Sequence, residues 1–165
     1  MNIKIKNLDL SKKTSIITGG SGHLGAAIAE KLSSCGSNLI LIDLHEKNLN
    51  NLKRKLERKY KIKAYIFPLD LTNNKERDEC IQSIKRSYKK IDIMVNSIGM
   101  VGTDNMEGWN TNFEKQSYDA WNKAIETNLT SIFFFIQGLY KIMKKSKDAS
   151  IINISSIYGV NAPDW

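Results

Sequence analysis

Short apolar runs separated by longer stretches of helical periodicity recur along the whole chain. The runs are TSIIT (14–18), NLILID (38–43), KAYIFPLD (63–70), IDIMVN (91–96) and SIINISS (150–156). Most are apolar at consecutive positions instead of at every second one, the pattern of strands covered on both faces. Between them, HLGAAIAEKLSS (23–34), EKNLNNLKRKLERKY (46–60), residues 73–89 and residues 117–145 read as helices. Strand and helix in alternation predict an α/β protein built on a doubly wound parallel sheet, with five strands present.

The last predicted helix contains SIFFFIQGLY, apolar on more than one face. It is expected to be covered by the sheet on one side and by another body, such as a second subunit, on the other. Residues 97–116, SIGMVGTDNMEGWNTNFEKQ, carry three glycines and little periodicity. Loops of that length inside compact domains are usually functional, and a rim over a ligand site is the expectation here. The 165 residues suit one domain with its own core and no internal repeat. No run approaches the roughly 20 apolar residues of a membrane helix. The opening MNIKIKNLDLSKK lacks the apolar core of a secretory signal, so a cytoplasmic protein without membrane contact is expected.

Composition changes this picture little. The net charge of +8 comes from 21 Lys and 4 Arg spread along the chain, and with 22 Ile and 16 Asn it suggests A/T-rich codons more than a binding patch. The densest basic run, KNLNNLKRKLERKYKIK (47–63), also places Leu49, Leu52 and Leu56 at helical spacing, so its charges form the wet face of an amphipathic helix. It lacks the interleaved aromatics of a base-stacking surface, and no nucleic-acid partner is expected. Cys35 and Cys80 have no partner at metal-ligand spacing; they read as free thiols, and no metal site is expected.

The chemistry begins where TSIIT passes directly into a helix through TGGSGHLG (18–25). GSGHLG from Gly20 matches GxGxxG, and Gly19, Gly22 and Gly25 also fit a TGxxGxxG spacing. In either register one glycine makes the tight turn and another lets backbone N–H groups approach a pyrophosphate, while Gly25 allows close helix packing. The helix N-terminus supplies free donors and the positive end of its dipole. Gly19, Ser21, Gly22, His23, Leu24 and Gly25 are therefore the expected cofactor loop, with His23 an exposed first-turn residue given no catalytic role. Asp43 closes the second strand eighteen residues after Gly25, where a carboxylate accepts hydrogen bonds from the adenine ribose and repels a 2′-phosphate. The loop holds no Arg or Lys and no basic residue directly follows Asp43, so NAD is favoured over NADP, with Lys47 the nearest counter-argument.

From about Asp9 to Trp165 the sequence resembles the short-chain dehydrogenase/reductase family, whose fold is Rossmann-like. TGGSGHLG is similar to the family's TGxxxGxG, except that His23 stands at the middle glycine position. Asp70 with Leu71 resembles the family's Asp-hydrophobic pair that binds the adenine. VNSIG (95–99) resembles VNNAG, with Asn96 and Gly99 kept and Ser97 and Ile98 departing, and cofactor contact through Asn96, Ser97 and Gly99 is implied. IETNLTSIFFF resembles the family's central helix, which makes Asn128 the asparagine that helps hold a water in the proton relay. SIINISSIYG resembles the fifth strand and its end, with Ser156 bonding the substrate carbonyl or hydroxyl. The resemblance implies hydride transfer between nicotinamide C4 and a small-molecule carbonyl or alcohol carbon, assisted by a Tyr–Lys acid/base pair in a YxxxK motif after the fifth strand.

Only IYGVNAPDW follows Ser156, without that motif. The one YxxxK, Tyr140 to Lys144, precedes Ser156 and is rejected as catalytic; Tyr158 fails because position 162 is Ala162. The expectation is a C-terminally incomplete single domain (1–165), the cofactor-binding part of a short-chain dehydrogenase, binding NAD weakly, turning over little and lacking the last strands and helices. In that case SIINISS becomes an exposed sheet edge. A complete NAD-binding module without chemistry is the alternative; a flavodoxin-like domain would explain the strands but not Asp43 or Ser156. SSIYGVNAPDW and GWNTNFEKQSYDAW resemble a branch of bacterial surface-sugar and flagellin-modification enzymes, which points to a sugar derivative as substrate. The full-length form is expected to be a homo-oligomer.

Overall fold

The computed structural model describes residues 8–101 and 105–159. Residues 102–104 of the predicted rim and the tail at 160–165, Ala162 included, lie outside the described residues. Five strands form: β1 (Thr14–Thr18), β2 (Asn38–Asp43), β3 (Ala64–Pro68), β4 (Ile93–Asn96) and β5 (Ser150–Asn153). They pair in parallel in the order β3-β2-β1-β4-β5. Helices α1 (His23–Ser34), α2 (Glu46–Tyr60) and α3 (Asn74–Ser87) fill the first three crossovers.

The consecutive apolar residues of each run divide between two cores. Ile16, Ile40, Ile42 and Met94 face one layer with Ile81, Ile84, Phe135 and Leu139; Ile17, Leu39, Leu41 and Val95 face the other with Ala29, Leu49 and Leu56. Leu52 of the basic helix packs at the edge of that second core, and its charges remain outside. Cys80 is buried and Cys35 half-buried, both as free thiols. Burial alone pushes the Cys80 thiol up to about 12, so it is inert at neutral pH.

Two polar clamps fix the layers. Glu30 of α1 accepts from Lys55, Lys59 and Tyr60 on α2 at 2.8, 2.7 and 3.0 Å, and these bonds, Lys55 first, bring its carboxyl down to about 2. Asp92, just before β4 and 1% exposed, accepts from the Thr14 N–H at 3.1 Å, Lys90 at 2.7 Å and Ser146 at 2.6 Å. Burial opposes its ionisation, but those three bonds outweigh it and hold the carboxyl at about 2. Asp92 thereby occupies the place the sequence pattern assigns to the start of β4, and its own N–H donates to the Thr14 carbonyl at 3.0 Å.

The predicted helix over 117–145 is not continuous. It comprises α4 (Tyr118–Ile125), a π-helical turn (Glu126–Thr130) and α5 (Ser131–Met143). Single π turns are commonly found at functional sites. Asn128 lies at the centre of this one. Apolar periodicity extends on both sides of the break, so no sequence signal marks the surplus residue. Two strands are also shorter than their runs: β3 stops at Pro68, which has no N–H to donate, and β5 loses its partner where β4 turns away at Asn96. Among the described residues, no helix is long and apolar enough to cross a membrane.

Candidate cofactor site

The C-terminal ends of β1 and β4 are neighbours, yet their chains leave in different directions, and a crevice opens there as parallel sheets generally provide at such a point. The glycine loop is held in place from three sides. Gly20 N–H donates to the Ile42 carbonyl at 3.0 Å, Ser21 N–H to Asp43 Oδ2 at 3.0 Å, and Gly22 N–H to the Gly19 carbonyl at 3.1 Å. Thr18 O accepts from both the N–H and the hydroxyl of Ser97, at 3.2 and 2.6 Å, which brings the end of β4 against the loop.

The glycines differ in what they do. Gly19 has a left-handed φ of 64°, and a Cβ on it would stand 2.7 Å from the Ser97 carbonyl oxygen. A Cβ on Gly25 would fall on the Gly19 carbonyl oxygen. Gly22 is the N-cap of α1 with extended backbone, and a Cβ there would meet only Gly19 O at 3.4 Å, an ordinary contact. The fold thus requires Gly19 and Gly25, and it leaves Gly22 as an open cradle at a helix N-terminus that no side chain caps. That combination fits a pyrophosphate, which needs close approach to backbone N–H groups.

A cavity of about 210 Å³ lies over this loop, walled by Gly19, Gly22, Asp43, Leu71, Ser97 and Gly99, with Leu44 and Ile98. A second cavity of about 320 Å³ shares Leu44, Ile98 and Gly99 with it and adds Asp70, Met100, Met106 and Lys123. Asp43 spends Oδ2 on Ser21 N–H and Oδ1 on Leu44 N–H at 2.8 Å. Each carboxylate oxygen has two lone pairs, so capacity remains for ribose hydroxyls. Asp70 takes both the N–H and hydroxyl of Thr72 on Oδ1 at 2.8 Å. Burial resists its ionisation, but the Thr72 bonds and Lys123 leave its carboxyl below the usual range.

The other expected residues do not wall these two cavities. Asn96 is buried in β4, and its Nδ2 donates to Asn153 Oδ1 at 2.8 Å across to β5. His23 and Leu24 are exposed on the first turn of α1. Asn128 engages the backbone of Met100 with both ends of its amide: Oδ1 accepts from Met100 N–H at 2.6 Å, and Nδ2 donates to Met100 O at 3.3 Å. It therefore ties the π turn to the segment after β4, with Gly99 alongside. Ser156 lies just past β5, where its carbonyl accepts from Gly159 N–H at 2.9 Å. Tyr140, by contrast, stands 55% exposed on α5, with Lys144 beside its ring. Among the described residues of the rim between β4 and α4, the Trp109 indole N–H donates to Val101 O at 2.8 Å and the Ser117 N–H donates to Gly108 O at 3.1 Å. Lys123 and Thr72 were not foreseeable from the motif: their bond spans 51 positions of sequence.

A strand, glycine turn and helix leading to a carboxylate on the next strand, in a parallel sheet of this order, make a Rossmann-like α/β fold. The family model for short chain dehydrogenases matches residues 13–165, and the chain belongs to that family of oxidoreductases. It is similar to the sorbose reductase of Candida albicans, 30% identical over 156 residues that make up 93% of this chain and 53% of that one. The post-translational flagellin modification protein A of Campylobacter coli is 32% identical over 157 residues, 94% of this chain and 60% of that one. The chain spans just over half to about three fifths of these relatives. The crystal structure of L-sorbose reductase from Gluconobacter frateurii, complexed with NADPH and L-sorbose, superposes with a TM-score of 0.83 at 25% identity, over 93% of this chain and 56% of that one.

Proposed function

We propose that this chain holds the nicotinamide dinucleotide of a cytoplasmic short-chain dehydrogenase that interconverts a carbonyl and an alcohol on a sugar derivative, with NAD preferred over NADP. The observation that carries this is the crevice between β1 and β4, where Gly22 is left open by the fold and Asp43 stands at the end of β2. The bound dinucleotide would supply or accept hydride at its nicotinamide C4.

The chain's own residues set the rest. Gly22 and the first turn of α1 receive the pyrophosphate; Asp43 accepts from the adenine ribose; Asp70 and Leu71 meet the base. Asp43 also disfavours a 2′-phosphate by like charge, and this supports NAD even though the Gluconobacter relative was crystallised with NADPH. Ser156 bonds the substrate oxygen. Asn128 gives Met100 one bond from each end of its amide, and the second N–H and second lone pair leave room for a water of the proton relay. Tyr140 and Lys144 lie on an exposed helix face and do not serve as acid and base there. The sorbose reductase relatives favour a polyhydroxylated substrate over a plain alkyl one. A second copy is the expected macromolecular partner, with the exposed Phe133, Phe134 and Tyr140 of α5 available to it.

The test is calorimetric titration of the 165-residue chain with NAD and NADP. NAD should bind more tightly, and Gly22→Val should abolish binding with an unchanged far-UV spectrum. Equal NAD affinity in Gly22→Val would overturn the assignment. Tyr140→Phe should leave any dehydrogenase turnover unchanged; turnover lost in Tyr140→Phe would refute the rejection of Tyr140.

A further inference from the structure

We infer that Lys123 is a positioning residue for the base end of the dinucleotide, presenting the Asp70 carboxylate to an amino-purine in the second cavity. This rests on the dinucleotide reading above and assigns a role to a residue outside its motifs. Lys123 lies on α4, 46% exposed, and reaches back to the turn after β3. Its Nζ donates to Thr72 Oγ1 at 3.0 Å and stands 3.6 Å from Asp70 Oδ2. Thr72 passes its own hydroxyl proton to Asp70 Oδ1 at 2.8 Å. The three side chains thus close a ring.

That ring fixes which carboxylate oxygen serves a ligand. Oδ1 is taken twice by Thr72, through N–H and O–H. Oδ2 accepts no neutral donor among the bonds described and shares a cavity wall with the Lys123 ammonium. The remainder of that wall is largely apolar, from Leu44, Ile98, Met100 and Met106. A flat heteroaromatic ring suits such walls, and its amino group would find Oδ2 as acceptor. An unaccompanied carboxylate in apolar surroundings tends to take up a proton and then ceases to be a pure acceptor. Lys123 opposes this, and it also joins α4 to the turn after β3 beside the cavity.

The test compares wild type, Lys123→Met and Lys123→Arg in calorimetric titrations with NAD, adenosine monophosphate and nicotinamide mononucleotide. Lys123→Met should weaken NAD and adenosine monophosphate by about five- to tenfold, the scale of one charge-assisted contact, and leave the mononucleotide unchanged. Lys123→Arg should restore most of the loss. In an Asp70→Asn background, Lys123→Met should add nothing. Unchanged adenosine monophosphate affinity in Lys123→Met, or equal loss of both mononucleotides, overturns the positioning role alone. Failure of wild type to bind NAD or adenosine monophosphate overturns the dinucleotide reading and this role with it.

Discussion

Gly25 and Gly22 look interchangeable as letters of a motif, but the space around them separates their duties. Gly25→Ala would drive a methyl onto the Gly19 carbonyl and should cost at least about 3 kcal/mol, read as a lowered thermal midpoint with or without ligand. Gly22→Ala meets one ordinary contact and should leave the apo midpoint within about 1 kcal/mol of wild type while weakening NAD. Equal apo destabilisation by the two substitutions would show that the cradle at Gly22 is a folding requirement. Spacing made the glycines and Asp43 legible as candidates, because a strand-to-helix turn around a pyrophosphate tolerates few geometries, and Asp70 became one only through the family resemblance. Spacing could not show that Asp43 also holds Ser21 N–H, or that both ends of the Asn128 amide go to Met100, since those bonds join residues 22 and 28 positions apart.

Elements with a strong period were read to within a residue or two. The bounds of α1 and α2 match their apolar stripes, and β1 and β2 match their runs, because each buries the same faces that the pattern marks. The start of β4 was misread since Ile91 extends the apolar run of Ile93–Val95 across Asp92, yet Asp92 turns its carboxylate to Thr14, Lys90 and Ser146. Its carboxyl is held at about 2, below its ordinary 3.8, so its contribution is complete above the ordinary value and lost as pH falls towards 2. Asp92→Asn should therefore cost about 2 kcal/mol at pH 7, and the gap from wild type should narrow in urea titrations taken from pH 4 to pH 2. A gap that stays constant over that range would remove Asp92 from the acid limb.

At the scale of the molecule, the strand order places β5 at one edge with Ile151 and Ile152 41% and 47% exposed. A row of open backbone groups with apolar side chains favours edge-to-edge pairing, and a lysine on such a strand opposes it. Ile152→Lys should lower the concentration-dependent light scattering of the 165-residue chain; equal scattering would place self-association elsewhere, with the aromatic face of α5 the next candidate. β1, β2 and β4 were legible because both sheet faces are covered over them, whereas β5 carries the same apolar run with both faces open; the order of their neighbours was not legible, since it depends on which crossover packs on which face. The π turn at Asn128 extends furthest. Each residue advances a helix by about 100°, so the surplus one sets the rotational phase at which everything after it meets the sheet. Deleting Thr130 would restore an unbroken α-helix and swing Phe135 and Leu139 out of the core, so the cooperative melt should vanish, whereas Thr130→Ala should keep it. One residue of chain length, with no chemistry of its own, thereby indexes half of the hydrophobic interior to the site.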